Sequence, residues 1–164
     1  MATTDLSNYD IEKVPDASDM YFAIVVSEWN HDITGNLLQG ALDTLIKHGA
    51  DENNILVQYV PGSYELPLGT QLILEQKDYI DAVICLGNVI QGETRHFDFV
   101  CEACAQGVKD VSLKYNRPVI FGVLTDNNKE QSIARSGGKL GNKGTECAVA
   151  AIKMAKVRRD FIVE

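Results

Sequence analysis

The side chains through which this sequence could do chemistry are few: three histidines, four cysteines, one tryptophan and one short run of cations. His96 has the strongest claim among the histidines. It opens an apolar-periodic stretch after a loop containing Gly87 and Gly92. A helix N-terminus disfavours the imidazolium and keeps the ring neutral, ready to exchange protons near neutral pH. A helix-entry histidine bonded to backbone fits the same position equally well. His31 and His48 lie near the start and end of another such stretch and are expected in solvent.

The segment Arg135-Ser136-Gly137-Gly138-Lys139-Leu140-Gly141-Asn142-Lys143-Gly144 gathers cations and glycines into one place. In a chain of net charge -8 it is the obvious anion site, with backbone N–H groups expected to add to the cations. A solvated turn between helices is the plainer alternative. The spacing does not fit GxxxxGK[ST], because Asn142 stands where the second glycine belongs, so an ATP-binding loop is not expected. Glu65 follows Pro61-Gly62; its carboxylate could accept from hydroxyls or ring nitrogens, or complement a helix N-terminus.

Several chemistries find no candidate. No G-x-S-x-G elbow is present, and no cluster has the spacing of metal ligands. Cys101 and Cys104 have CxxC spacing without a second pair, and they read, like Cys85 and Cys147, as small reduced residues of buried elements, which suits a cytoplasmic protein. The acidic balance denies nucleic acid its usual basic footprint. No segment reaches the roughly 20 apolar residues of a membrane span, and the polar first 19 residues lack the apolar region of a secretory signal. What remains is an aromatic face, a proton shuttle and an anion clamp, a set suited to positioning two small molecules for reaction with each other.

The elements that must position these residues alternate. Strand-like apolar runs occupy Tyr21–Val26, Ile55–Val60, Tyr79–Leu86 and Pro118–Leu124, nearly continuous as in strands buried on both faces. Helical periodicity marks Asp32–His48, Leu66–Gln76 and His96–Tyr115. Two more helices, Asn128–Arg135 and Gly144–Val157, flank a glycine-rich bend. Such alternation predicts an α/β fold of three layers, α/β/α and flavodoxin-like, with a central four-stranded parallel sheet. Residues 1–19 read as a flexible N-terminal arm, disordered or laid on a neighbour's sheet edge, and residues 20–164 as one domain.

Ligands of such sheets bind outside the carboxyl ends of the strands. The loops there begin at Ser27, Pro61, Gly87 and Thr125, and all four are expected to converge on one rim. Trp29 therefore sits at the mouth of the expected site. Its place alone serves a ligand platform, a cap on the sheet end or a subunit contact equally well.

The strand-end motifs, in order, are "WN", "VPGSYELP", "GNVIQGETRHFDFV", "PVIFGVLT", "EQSIARSGGKLGNKG" and "ECAVAAIKMA". Together they resemble the lumazine synthase family over nearly all of residues 21–155. The resemblance implies condensation of 5-amino-6-(D-ribitylamino)uracil with 3,4-dihydroxy-2-butanone 4-phosphate to 6,7-dimethyl-8-ribityllumazine, with loss of phosphate and water. This is a step of riboflavin biosynthesis that uses no metal or organic cofactor.

By position the resemblance makes Trp29 the aromatic that stacks on the pyrimidine. Ser63, Tyr64 and Glu65 hold the ribityl chain and ring edge, while Asn88, Val89 and Ile90 line the pocket. Glu93 and Thr94 match the pair near the phosphate, Arg135 the phosphate-binding arginine, and Lys143 its supporting lysine. His96 matches the proton-transfer residue, and Phe121 a pocket residue supplied by the adjacent subunit. The implied assembly is a homopentamer, or a sixty-subunit shell given the short "SGGKLGNKG" bend. Tryptophan at position 29 points instead to pentamers that also bind riboflavin. Four positions depart from the family pattern: Glu28 and Gln91 where basic residues are usual, Glu93 where a small one is, and Arg95, which restores charge. They leave the activity expected and bear on anion affinity, in a direction the residues leave open. A flavodoxin-like flavin-binding module and a structural shell protein without turnover are the other readings.

Overall fold

The computed structural model describes residues 4–162. Four strands, β1 (Phe22–Ser27), β2 (Ile55–Val60), β3 (Ala82–Ile90) and β4 (Val119–Asp126), form one parallel sheet in the order β2-β1-β3-β4. Helices α1 (His31–Lys47), α2 (Leu66–Gln76), α3 (His96–Tyr115), α4 (Lys129–Arg135) and α5 (Lys143–Phe161) connect and cover it. This is the expected three-layer α/β/α arrangement, with the strand order of flavodoxin-like sheets.

Side chains alternate across a strand, so β1 feeds two cores at once. Phe22, Ile24 and Val26 pack with Leu37, Leu45, Ala148 and Ile152 on the α1/α5 face. Ala23 and Val25 pack with Leu66, Ile73, Cys104 and Val108 on the α2/α3 face. Burial on both faces explains why β1 and β3 carry continuous apolar runs while the edge strand β2 is half exposed.

Three elements differ from the sequence reading by more than two residues, while β1, β4, α1 and α4 shift by one or two. β3 runs on through Gly87 and Asn88 to Ile90, because its pairing with β4 continues to Ile90 opposite Asp126. The glycine-rich bend holds a small antiparallel hairpin, β5 (Ser136–Gly138) with β6 (Gly141–Asn142), turned by positive φ at Gly137 and Gly141. The last helix begins one residue earlier and ends four later than its apolar periodicity.

His48 is not in solvent. It is buried, and its Nε2 lies 2.9 Å from the Tyr9 hydroxyl. The same helix end holds the N-terminal segment, since the His48 carbonyl accepts from the Ala17 N–H, and Val14, Ala17 and Met20 join the α1/α5 core.

The chain leaves β1 for β2 on one side and returns for β3 on the other, so the adjacent carboxyl ends of β1 and β3 form the switch point. Asn30 bridges them. It stands at the start of α1 in the left-handed conformation (φ 59°), tolerable for asparagine, and its Nδ2 donates to the Asn88 Oδ1 and backbone oxygen at 3.0 and 3.3 Å.

Candidate active site

A cleft of about 680 Å³ opens at this switch point. Trp29, Ser63, Tyr64, Glu65, Asn88, Val89, Ile90 and His96, all singled out in the sequence, line it together. Asn30, Gly62, Phe99 and Val100 line it as well. The last two were legible as the positions three and four after His96 on the same helix face.

Trp29 is held by its backbone, whose N–H donates to the Pro61 carbonyl at 3.2 Å, while Glu28 N–H donates to Val60. The indole itself is 73% exposed. An aromatic of this size left in water on a fixed backbone offers a flat apolar face to the cleft. Opposite lies the short 3-10 turn Ser63–Glu65, which leads into α2. Ser63 fits against β3 because Gly87 has no side chain: a Cβ there would lie 2.5 Å from the Ser63 Oγ. That buried Oγ has no hydrogen-bond partner among the described residues. An unpaired buried hydroxyl costs about 1–3 kcal/mol.

His96 sits at the first position of α3, where the Thr94 hydroxyl accepts from its backbone N–H at 3.4 Å. Glu93 and Thr94 stand in an exposed loop and line neither this cleft nor the next one. Arg95 turns to its own helix, 3.5 Å from Asp98 and 5.7 Å from the Phe99 ring centroid.

Phe121, Arg135 and Lys143 are not brought to the Trp29 cleft. They line a second cleft of about 690 Å³ with Thr125, Asp126, Gln131 and Leu140. The expectation that all strand-end loops share one rim site therefore fails in the single chain, because β4 is the far strand and its loop turns onto α4. The cations there are also compensated. Glu146 on α5 lies 2.9 Å from Arg135 Nη2 and 2.9 Å from Lys143 Nζ, with Arg135 and Glu146 both largely buried. Arg135 Nη1 also donates to the Leu140 carbonyl at 3.1 Å. Glu146 went unnoticed in the sequence because it reads as one more charge on a helix.

Burial holds the thiols of Cys85, Cys104 and Cys147 high, at about 12, so none is a ready nucleophile. Among the described residues no group of three or more His, Cys, Asp or Glu could hold a metal ion, and no helix is long and apolar enough to cross a membrane.

Residues 19–159 match the family model described as 6,7-dimethyl-8-ribityllumazine synthase. Curated relatives agree over nearly full length. A protein of that name from Christiangramia forsetii is 56% identical over 98% of this chain and 96% of its own. Another from Cytophaga hutchinsonii is 55% identical over 93% and 95%, and one from Phocaeicola vulgatus 54% identical over 94% and 92%. With a parallel sheet, a switch-point cleft and a match across almost the whole sequence, this chain belongs to the 6,7-dimethyl-8-ribityllumazine synthase family.

Proposed function

We infer that this chain is a transferase of riboflavin biosynthesis, condensing 5-amino-6-(D-ribitylamino)uracil with 3,4-dihydroxy-2-butanone 4-phosphate to 6,7-dimethyl-8-ribityllumazine, with release of phosphate and water. The observation that carries this reading is the Trp29 cleft: a flat exposed aromatic face and a buried unpartnered Ser63 hydroxyl at the switch point. A planar heterocycle bearing a polyol tail matches both. Trp29 stacks on the pyrimidine. Ser63, Tyr64 and Glu65 take the ribityl hydroxyls and ring edge, with Asn88, Val89 and Ile90 beneath the ring.

The chemistry needs no strong nucleophile from the protein. The substrate's amine attacks the ketone, a first water leaves to give an imine, phosphate is eliminated to uncover a second carbonyl, and the second amine adds to that carbonyl and expels a second water as the ring closes. Each step moves a proton between bound molecules, and His96 at the cleft wall is the group placed to carry it. Arg135 and Lys143 receive the phosphate, which must compete with Glu146 for them. Glu93 and Thr94 approach the phosphate from the exposed loop.

Two clefts on one chain fit an assembly in which the Trp29 cleft of one copy closes against the Phe121–Arg135 cleft of the next. This reading makes the enzyme a homopentamer, with the short hairpin between α4 and α5 compatible with a sixty-subunit shell. Sedimentation distinguishes pentamer from shell, and a monomer with full activity would refute the shared site. The reading makes the enzyme cytoplasmic, which its free cysteines suit. Riboflavin is no part of this reading, because nothing at the cleft beyond the indole face selects it.

Mixing the two reactants and following lumazine absorbance together with phosphate release tests the function. Absence of product, under conditions where a curated relative turns over, would overturn it.

A further inference from the structure

Between the two clefts runs a line of buried polar side chains that no step above uses. Asn88 at the end of β3 is 2% exposed, Ser132 on α4 is fully buried, and Asp126 at the end of β4 is 8% exposed. The links are short: Asn30 Nδ2 to Asn88 Oδ1 at 3.0 Å, Asn88 Nδ2 to Ser132 Oγ at 2.9 Å, and Ser132 Oγ to Asp126 Oδ2 at 2.7 Å.

The direction of donation follows from one anchor. Asn30 Nδ2 also faces the Asn88 backbone oxygen at 3.3 Å, and a carbonyl can only accept. The Asn30 amide nitrogen therefore points toward β3, and Asn88 Oδ1 must accept from it. Asn88 Nδ2 is then left to donate to Ser132, whose hydroxyl proton is free for Asp126. Each carboxamide is fixed by the next group along. At the cleft, this leaves the Asn30 Oδ1 as the one polar atom of that side chain without a protein hydrogen bond among the described residues.

We propose that Ser132 and Asp126 are positioning residues: through Asn88 they lock the Asn30 carboxamide with its oxygen toward the Trp29 cleft, as an acceptor for a ring N–H of the pyrimidine reactant. This rests on the function inferred above. Buried polar groups contribute little to stability over an apolar packing of the same shape, but a fully satisfied chain holds one orientation. Ser132 touches no substrate in this scheme and acts only through Asn88.

The test measures binding of 5-amino-6-(D-ribitylamino)uracil alone by calorimetry, and KM for each reactant. Ser132→Ala removes the acceptor for Asn88 Nδ2, so the Asn88 amide can turn and Asn30 keeps only its longer bond to the Asn88 backbone oxygen at 3.3 Å. Its affinity and KM for the pyrimidine reactant should weaken about 5- to 10-fold, with KM for the phosphate-bearing reactant unchanged. Asp126→Leu should act in the same direction. Asp126→Asn keeps an acceptor oxygen for the Ser132 hydroxyl and should bind within about 2-fold of wild type. A purely structural role would instead lower thermal stability and leave both KM values unmoved or move them together.

Unchanged pyrimidine binding in Ser132→Ala, with wild type active, would overturn the positioning role alone. So would an Asp126→Asn chain as impaired as Asp126→Leu. Wild type that binds neither reactant would refute the inferred function and this role with it. Should the Ser132→Ala chain not fold, the two Asp126 variants carry the same comparison.

Discussion

Gly144 is where α5 touches α1 most closely, and replacing it with alanine tests how rigidly that contact places the phosphate-side residues. A Cβ at Gly144 would lie 1.9 Å from the Leu37 carbonyl oxygen and 2.8 Å from its carbon, both backbone atoms that no rotamer change can move. Restoring ordinary contact needs a shift of about 1.5 Å between two helices whose facing residues, Leu37, Ala41, Cys147 and Ala148, are buried. Overpacking typically costs about 1–3 kcal/mol, a backbone clash of this depth belongs at the upper end, and the better helix propensity of alanine returns about 1 kcal/mol. A net loss of about 2 kcal/mol lowers Tm by about 4–8 °C in a chain of this length. Lys143 and Glu146 ride on the same helix start, so their geometry with Arg135 shifts too, and KM for the phosphate-bearing reactant should rise. Gly92→Ala is the control, since no atom lies within 4 Å of its Cβ position. Thermal unfolding of the three proteins, followed by steady-state kinetics, makes the comparison. A Gly144→Ala chain melting within about 1 °C of wild type would refute the reasoning.

Arg135→Ala should raise KM for the phosphate-bearing reactant about 10- to 100-fold, the worth of charge-assisted hydrogen bonds, and an unchanged KM would deny it the phosphate. His96→Ala should slow kcat by about 100-fold at most, because positioning survives the loss of the proton carrier, as single-turnover lumazine formation would record. Burial raises the Asp126 carboxyl pKa above the ordinary carboxylate range, opposed by the Ser132 hydroxyl and the Arg135 charge. A raised acid favours folding while protonated and loses that contribution as pH climbs through its folded value. Asp126→Asn should therefore melt higher than wild type at pH 7, with the gap shrinking as pH falls through the raised folded value toward the ordinary carboxylate value and constant below that. Burial, aided by the Lys47 charge, lowers the His48 pKa, and this contributes stability that is complete above the ordinary histidine value and is lost as pH falls from there through the lowered folded value. Residues 9–17 should become more sensitive to limited proteolysis over that interval, and Tyr9→Phe, which deletes the hydroxyl facing His48, should show the same sensitivity at neutral pH.

The sequence alone determined the alternation of elements, because burial on both faces writes a continuous apolar run and burial on one writes a helical period. The ranges of β2, α2 and α3 were legible to the residue. So were the residues singled out in the sequence that line the Trp29 cleft, since each stands at or just after the end of β1, β2 or β3, whereas Glu93, Thr94, Phe121, Arg135 and Lys143, read for the same rim, do not line it. Local signals misled where pairing overrode them: Gly87-Asn88 looks like a turn, yet β4 holds it as strand.

Tertiary structure decided the rest. Only the strand order puts Phe121, Arg135 and Lys143 in a cleft apart from His96, and only helix packing sets Glu146 between the two cations. The line from Asn30 to Asp126 joins residues up to 96 positions apart through four separate elements, and each is an ordinary polar residue in its own neighbourhood. A sequence records which faces are buried, because burial selects residue type locally. It does not record which polar groups meet, because a hydrogen bond is fixed by distance and direction between segments that only the folded chain brings together.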